Sequence, residues 1–161
     1  MQIKDMETEE EIKGKAYVHW KAWQEAYAGL LPQEFLQNTY TLERCQDLAF
    51  RYPQNTLIAL VDGQVVGFAC YGTSSQKDLK NAGELYAIYV LAEHYGKEIG
   101  YQLFQAVLAK MANSVTISLW VLEGNARAIA FYEKVGFRFD GVTKTVHLGA
   151  ERTEHRMILR R

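Results

Sequence analysis

Apolar positions change their spacing along this chain, and the changes divide it into elements. Ile12, Ala16, Trp20, Trp23, Tyr27 and Leu30 recur at steps of four and three, which lines up one face of a helix over five turns. Thr8 and Glu11 stand ahead of this run at capping-box spacing, and Gly29 and Pro32 punctuate its end. Residues 33–51 read as one or two short helices. From Thr56 the pattern becomes that of strands. Leu57 to Val61 and Gln64 to Tyr71 flank Asp62-Gly63, a pair that tolerates the positive φ of a tight hairpin turn. A polar loop, Thr73 to Asn81, leads into a third strand, Glu84 to Leu91. Residues 98–112 read as a helix with Leu103, Phe104, Val107 and Met111 on one side, and Val115, Ile117, Leu119 and Val121 then alternate as a strand. Asn125 to Val135 is a second helix of this type, ended by Gly136-Phe137. Two last strands, at 138–148 and 153–160, surround a turn at Gly149-Ala150.

Helices come first, then antiparallel strands, one strand–helix–strand–helix unit, and more strands. A strand–helix–strand unit makes its two strands parallel through a right-handed crossover. The fold class expected is α/β of the α+β type. It has a mixed, mostly antiparallel twisted sheet of about seven strands flanked by about four helices. Residues 1–161 read as a single domain.

Composition narrows the function. With 48% hydrophobic and 23% charged residues and a formal net charge of −1, the chain gives no electrostatic reason to expect nucleic acid or an anionic membrane as partner. No apolar run approaches the roughly 20 residues that cross a bilayer. Met1-Gln2-Ile3-Lys4-Asp5 leads into an acidic stretch without a signal-peptide core. Cys45 and Cys70 lack C-x-x-C spacing, so neither a disulfide framework nor a zinc site is expected and a reduced cytoplasm is the default. His19, His94, His147 and His155 have no metal-ligand spacing and read as surface or structural residues. No G-x-S-x-G occurs to support a serine nucleophile.

The segment from Glu84 to Gly100 carries the first chemical signal. It is a strand, a short loop with Gly96, and a helix start at Glu98-Ile99-Gly100. The first N–H groups of a helix have no partner inside it and its dipole favours negative charge there, so such a turn can hold a pyrophosphate. A second signal is Leu119 to Phe137, with Asn125 and Tyr132 seven residues apart, on one helix face. Taken singly, Asn125 reads as a helix cap and Tyr132 as a half-buried aromatic.

Taken together, these segments resemble the GCN5-related N-acetyltransferase (GNAT) family. The first is similar to its strand and [Q/R]-x-x-G-x-[G/A] loop. Tyr95 falls at the Gln/Arg position, Glu98 at the central Gly and Gly100 at the final small one. Tyr95 and Glu98 depart from that pattern. Glu98 adds a charge that repels phosphate unless it points to solvent, and Lys97 supplies a compensating one. Val121-Leu122-Glu123-Gly124-Asn125 through Gly136-Phe137 resembles the family's V-x-x-x-N-x-x-A-x-x-[FL]-Y-x-x-x-G-F almost position for position. Trp23-Gln24-Glu25-Ala26-Tyr27-Ala28-Gly29-Leu30-Leu31-Pro32 is similar to the W-x-x-A-Y-x-G-[LI]-[LI]-P opening of members that include polyamine and small-amine acetyltransferases.

The resemblance implies a GNAT fold, acetyl-coenzyme A as cosubstrate, no metal, and a small-molecule amine acceptor. Cosubstrate contacts are expected from Ile88, Tyr89, Val90, Tyr95, Gly96, Lys97, Glu98, Ile99, Gly100, Tyr101, Asn125, Tyr132 and Lys134. Acceptor contacts are expected from Tyr27, Glu84 and Tyr86. Glu84 is the implied general base, acting through water, and backbone N–H groups near Ile88 to Val90 would polarise the thioester carbonyl, since members of the family splay this strand from the next at a bulge. Tyr132 is the implied acid for the departing thiolate, since a phenol near ~10 and a thiol near ~8.5 lie close. The leading reading is acetyl transfer to a primary amine of a small molecule, a polyamine among the candidates. A protein lysine or N-terminal acetyltransferase and a non-catalytic acyl-CoA-binding domain are the alternatives. Pairing of terminal strands between two copies of the chain is left open.

Overall fold

The computed structural model describes residues 1–161. The elements run β1 (Gln2–Asp5), α1 (Glu9–Ala26), α2 (Gln33–Asn38), α3 (Leu42–Arg51), β2 (Thr56–Val61), β3 (Gln64–Thr73), β4 (Gly83–Val90), α4 (Ile99–Lys110), β5 (Thr116–Leu122), α5 (Ala126–Lys134), β6 (Arg138–His147) and β7 (Glu151–Arg160). A short 3-10 turn, Ala92–His94, follows β4. All seven strands form one sheet in the order β1-β2-β3-β4-β5-β7-β6. Every neighbouring pair is antiparallel except β4 and β5. The mixed sheet therefore stands as expected, with five helices instead of four.

Local chemistry explains the best-placed elements. Thr8 accepts the N–H of Glu11, while the Glu11 carboxylate accepts that of Thr8, closing a capping box at the start of α1. Asp62 and Gly63 both take positive φ in the β2–β3 turn, at 50° and 77°, as a two-residue hairpin requires.

Two features differ from the periodicity reading. Strand β1 pairs with β2 from Gln2 opposite Leu60 to Asp5 opposite Leu57, yet four terminal residues hold too few alternations to reveal it. Helix α1 ends at Ala26, and its buried positions are Lys15, Ala16, Val18 and Ala22. Ile12, Trp20 and Trp23 pack with Ala16 against Cys45 and Ala49 of α3. The apolar stripe thus covers a second helix, while Val18 is the position that joins the main core.

Helices cover both faces. Phe68 of β3 meets Lys15 and His19 of α1, whereas a side chain at the neighbouring Gly67 would touch Leu103 of α4. Adjacent strand residues point to opposite faces, so α1 and α4 lie on opposite sides of the sheet. Gly100 of α4 lies beside Phe131 of α5, which puts α5 on the α4 side. No helix is long and apolar enough to cross a membrane.

The feature that shapes the site is where β4 leaves β5. Their parallel pairing covers only Gly83–Ile117 and Glu84–Ser118, while β5 pairs with β7 from Thr116 to Leu122. From Leu85 onward β4 has no strand on that side. A bulge accompanies the departure: Cys70 and Tyr71 of β3 face Ala87 and Leu85, leaving Tyr86 as the extra residue. A bulge turns a strand and re-aims the side chains beyond it.

Candidate active site

The splay between β4 and β5 opens into a cavity of about 910 Å³. It runs between the start of α4 and the C-terminal end of α1, and because the sheet is parted there it reaches both faces. Leu85 through Val90 line it from β4, Trp120 through Leu122 from β5, and Tyr132 from α5.

One end is formed by the loop before α4. The N–H groups of Gly96 through Tyr101 make no hydrogen bond inside the protein, and the first satisfied one is that of Gln102, donated to the Glu98 carbonyl. Free donors at a helix start attract an anion. Glu98 caps α4 with φ 60° and ψ 12°, a left-handed conformation, which a residue with a Cβ adopts only at a cost. Gly96 also has positive φ, 76°. Gly100 faces Phe131 at an ordinary van der Waals distance of 3.5 Å from an ideal Cβ, so this position is small without being crowded.

Most of the sequence-identified residues meet here. Ile88, Tyr89, Val90, Tyr95, Gly96, Glu98, Ile99, Gly100, Tyr101, Asn125, Tyr132 and Lys134 all line the cavity, as do Tyr27 and Tyr86. Glu84 and Lys97 do not. Lys97 is exposed, and the cation at this loop is Arg127 instead, whose guanidinium lies over the Tyr95 ring at 3.6 Å from its centroid. Glu84 is 8% exposed and accepts a 3.4 Å hydrogen bond from Ser74. Its carboxyl is raised above the ordinary range, chiefly by burial, with Lys144 and Ser74 opposing. It sits at the last paired rung of β4 and β5, one residue before the splay opens, so the structure does not bring it together with Tyr132.

Asn125 plays its cap role: its side-chain oxygen accepts the Ala128 N–H at 3.3 Å. That leaves the amide donors free toward the cavity it lines. Tyr132 is 9% exposed, and burial pushes its phenol well above the ordinary range. The close match of phenol and thiol expected above therefore does not hold. Tyr132 keeps its proton more firmly than an exposed tyrosine.

The other end is aromatic. Tyr27 and Tyr89 share a 2.8 Å hydrogen bond between their hydroxyls, and Trp23 packs edge-on to Tyr27 and stacks on Tyr40. Trp23, read above as core stripe, lines the cavity as well. Glu154 is the carboxylate at this end, where its charge is felt by Tyr27. His94, expected to be structural, also lines the cavity. Three buried donor or acceptor atoms of lining residues have no partner in the protein: Trp23 Nε1, Trp120 Nε1 and His94 Nδ1. Arg127, Trp120 and Glu154 carried no signal in the sequence, because a cation in a helix and alternating strand residues look like surface positions there. No group of three or more His, Cys, Asp or Glu is arranged to hold a metal ion.

Comparisons with known proteins agree with this geometry. Residues 19–137 match the acetyltransferase (GNAT) family. The chain is 31% identical over 131 residues to the uncharacterized N-acetyltransferase YuaI of Bacillus subtilis, which covers 77% of this chain and 73% of that one. It is 34% identical over 86 residues to a spermine/spermidine N(1)-acetyltransferase of the same species, covering 50% of this chain and 57% of the other. The crystal structure of a PaiA N-acetyltransferase from Thermoplasma acidophilum in complex with coenzyme A shares the fold, with a TM-score of 0.73 and 22% identity over 100% of both chains.

Proposed function

Since the chain belongs to the acetyltransferase (GNAT) family, we propose that it carries the acetyl group of acetyl-coenzyme A to the primary amine of a small molecule, polyamines being the first acceptors to try. The observation that carries this reading is one cavity that joins unpaired N–H donors at a helix start, an unpaired strand edge, and an aromatic end with a carboxylate. An apolar pocket with a carboxylate on its wall suits a small amine.

The residues present suit the cosubstrate. Backbone N–H groups from Gly96 to Tyr101, with Arg127 and Lys134, would hold the phosphates. The free edge of β4 at Ile88, Tyr89 and Val90 and the carboxamide of Asn125 would hold the pantetheine arm. Bound there, acetyl-coenzyme A supplies a thioester that an amine attacks directly, with a thiol as leaving group.

The chain's own residues have three tasks. An alkyl amine has a pKa near ~10.4 and must lose a proton before attack. Glu84 takes that proton through water, because its carboxyl stands outside the cavity wall, and burial has raised its proton affinity toward the range a base needs. Backbone N–H groups of β4 polarise the carbonyl, being fixed in place by the strand and needing no rearrangement. Tyr132 donates a hydrogen bond to the departing sulfur, its raised pKa keeping that proton in place across the neutral range, and the proton that the attacking nitrogen sheds on forming the amide neutralises the thiolate.

Calorimetric titration with acetyl-coenzyme A, followed by thiol release across an amine panel that includes spermidine, tests the reading. Saturable binding and amine-dependent thiol release are expected. Binding without release on any amine would favour a protein acceptor or a silent acyl-CoA binder, and absence of binding would sink the proposal.

A further inference from the structure

Beside the acceptor end of the cavity, against two of its lining residues, the protein holds an alkylammonium group of its own. Lys144 lies on β6 opposite Glu154 of β7, and Glu154 lies opposite Leu122 of β5. Residues opposite one another, and those two apart along a strand, share a face. Trp120, Leu122, Glu154 and Lys144 are therefore on one side of the sheet. Leu122 packs against Tyr27 and Leu31, so this is the α1 side, away from α4 and α5. The Lys144 ammonium stands 4.3 Å from the centroid of the Trp120 ring and 3.7 Å from a Glu154 carboxylate oxygen. Trp120 and Glu154 both line the cavity, whereas Lys144 stands outside its wall, and the lysine side chain is 42% exposed.

An indole face together with a carboxylate is a good receptor for a primary ammonium ion and a poor one for a neutral amine. The reacting nitrogen must be neutral. Such a pair is therefore better suited to a second, charged nitrogen on the same acceptor. The contact with Lys144 is loose: at 3.7 Å it is an ion pair without a hydrogen bond, and half-exposed pairs of this kind are weak. A competing ammonium delivered by a tethered substrate can displace it.

We propose that Glu154 and the indole face of Trp120 form a subsite for the non-reacting ammonium of a diamine or longer polyamine, and that Lys144 fills this subsite until the acceptor displaces it. The proposal rests on the small-amine reading above and assigns its substrate class. Lys144 acts as an internal competitor that keeps the carboxylate paired and sets a threshold for the acceptor. An acceptor with one amine gains nothing from the subsite. One with two amines gains in proportion to how well its chain spans from the thioester to Glu154.

The test compares α,ω-diamines of three to eight carbons with monoamines of equal length in the wild type, Glu154→Gln and Lys144→Gln. Thiol release gives KM for each, and calorimetry gives diamine affinity for the protein saturated with coenzyme A, where no turnover occurs. In the wild type, diamines of suitable length have the lower KM. Loss of one charge contact is worth roughly 1.4 kcal/mol, so Glu154→Gln should narrow the monoamine-to-diamine KM ratio about tenfold. Lys144→Gln should widen it several-fold and tighten diamine binding. Lys144 is at the surface, so that variant remains informative should Glu154→Gln fail to fold. Equal KM for mono- and diamines, unmoved by either variant, would overturn the subsite while leaving the acetyltransferase reading intact. Diamine binding that Glu154→Gln abolishes, without thiol release on any amine, would do the reverse. No diamine binding to any form would overturn the subsite outright.

Discussion

Glu98 is held at φ 60°, at the start of the loop-facing helix and on the wall of the cavity. The GNAT-like pattern places glycine at this position, and the backbone gives the reason: a left-handed residue carrying a Cβ is strained by about 1 kcal/mol. From residues alone the change reads as an added charge and a lost glycine near a phosphate site, while the left-handed dihedral itself leaves no mark on a single sequence. Glu98→Gly should relieve the strain and remove the repulsion together. Greater unfolded-state entropy offsets part of the gain, so stability should rise by no more than about 1 kcal/mol. The acetyl-coenzyme A Kd should tighten several-fold. Denaturant unfolding and calorimetry read both; a destabilised variant with unchanged Kd would mean that the Glu98 side chain turns to water and holds the loop. Tyr132 makes the second residue-level test. It is buried, and its phenol titrates well above the ordinary range. Tyr132→Phe should lower kcat by tenfold or more, as loss of a hydrogen bond to a charged leaving group predicts, with acetyl-coenzyme A affinity nearly unchanged. Because the folded enzyme keeps this proton through pH 9, the wild-type kcat profile should show no alkaline fall below about pH 10 from this group. A kcat indifferent to the substitution would remove Tyr132 from the chemistry.

Helix α1 shows how a well-signalled element can still conceal what it carries. Its cap was legible, since Thr8 and Glu11 are enough to specify a capping box. Its partner was not, because the Lys4 that bonds Glu11 at 2.6 Å comes from a four-residue strand with no readable period. Likewise the stripe of Trp20 and Trp23 gave the helix but not the fact that α3 covers it, which depends on tertiary packing. Thr8→Ala should cost about 1 kcal/mol, the usual worth of an N-cap oxygen. Two groups on α1 should also shape the acid limb of stability. His19 is buried beside Lys15 and Arg44, bonds the Tyr40 hydroxyl at 2.6 Å, and is pushed down to about 3, chiefly by burial. The unfolded chain therefore binds more protons than the folded one between pH ~6.5 and ~3, so stability is full above pH ~6.5 and falls on acidification. The expected slope approaches 1.4 kcal/mol per pH unit at about pH 5. Glu11 is lowered to about 2, first by the Lys4 bond and then by the backbone N–H of Glu7. Its contribution is present above pH ~4.5 and lost as pH falls toward 2. His19→Gln should flatten the first segment and Glu11→Gln the second, as read from urea midpoints across pH. A single slope unaffected by His19→Gln would show that His19 titrates normally.

At the scale of the molecule, the order of elements was enough to anticipate the mixed sheet, because one strand–helix–strand unit among hairpins leaves few other arrangements. The splay of β4 from β5 was implied by the family resemblance but not by the residues themselves, and the bulge that accompanies it, at Tyr86 between β3 and β4, has no local pattern to announce it. Nor was it readable how the polar loop between β3 and β4 closes the α1 side of the sheet. Ser74 reaches Glu84 and Ser118 at 3.4 Å each, and Asp78 grips Arg156 through two hydrogen bonds of 2.8 and 2.6 Å. Arg156 is 3% exposed, bonds Asp140 as well, and stands opposite Trp120 in the register of β5 and β7. The loop is thereby fastened across the face that holds the acceptor end, using an arginine whose planar fork suits two carboxylates. Asp78 is 61% exposed, so its pair adds little to stability, and Arg156 keeps Asp140 when Asp78 is removed. Its larger effect should be on position. Asp78→Ala should loosen the loop and raise the acceptor KM several-fold, while acetyl-coenzyme A, bound from the far side of the splay, keeps its affinity. Conversely, Arg156→Lys should weaken both the loop and the β6–β7 ribbon, because an ammonium cannot bridge two carboxylates with the same geometry. Steady-state kinetics with each substrate varied in turn separates these outcomes. An Asp78→Ala enzyme with unaltered acceptor KM would mean that the loop takes no part in enclosing the amine.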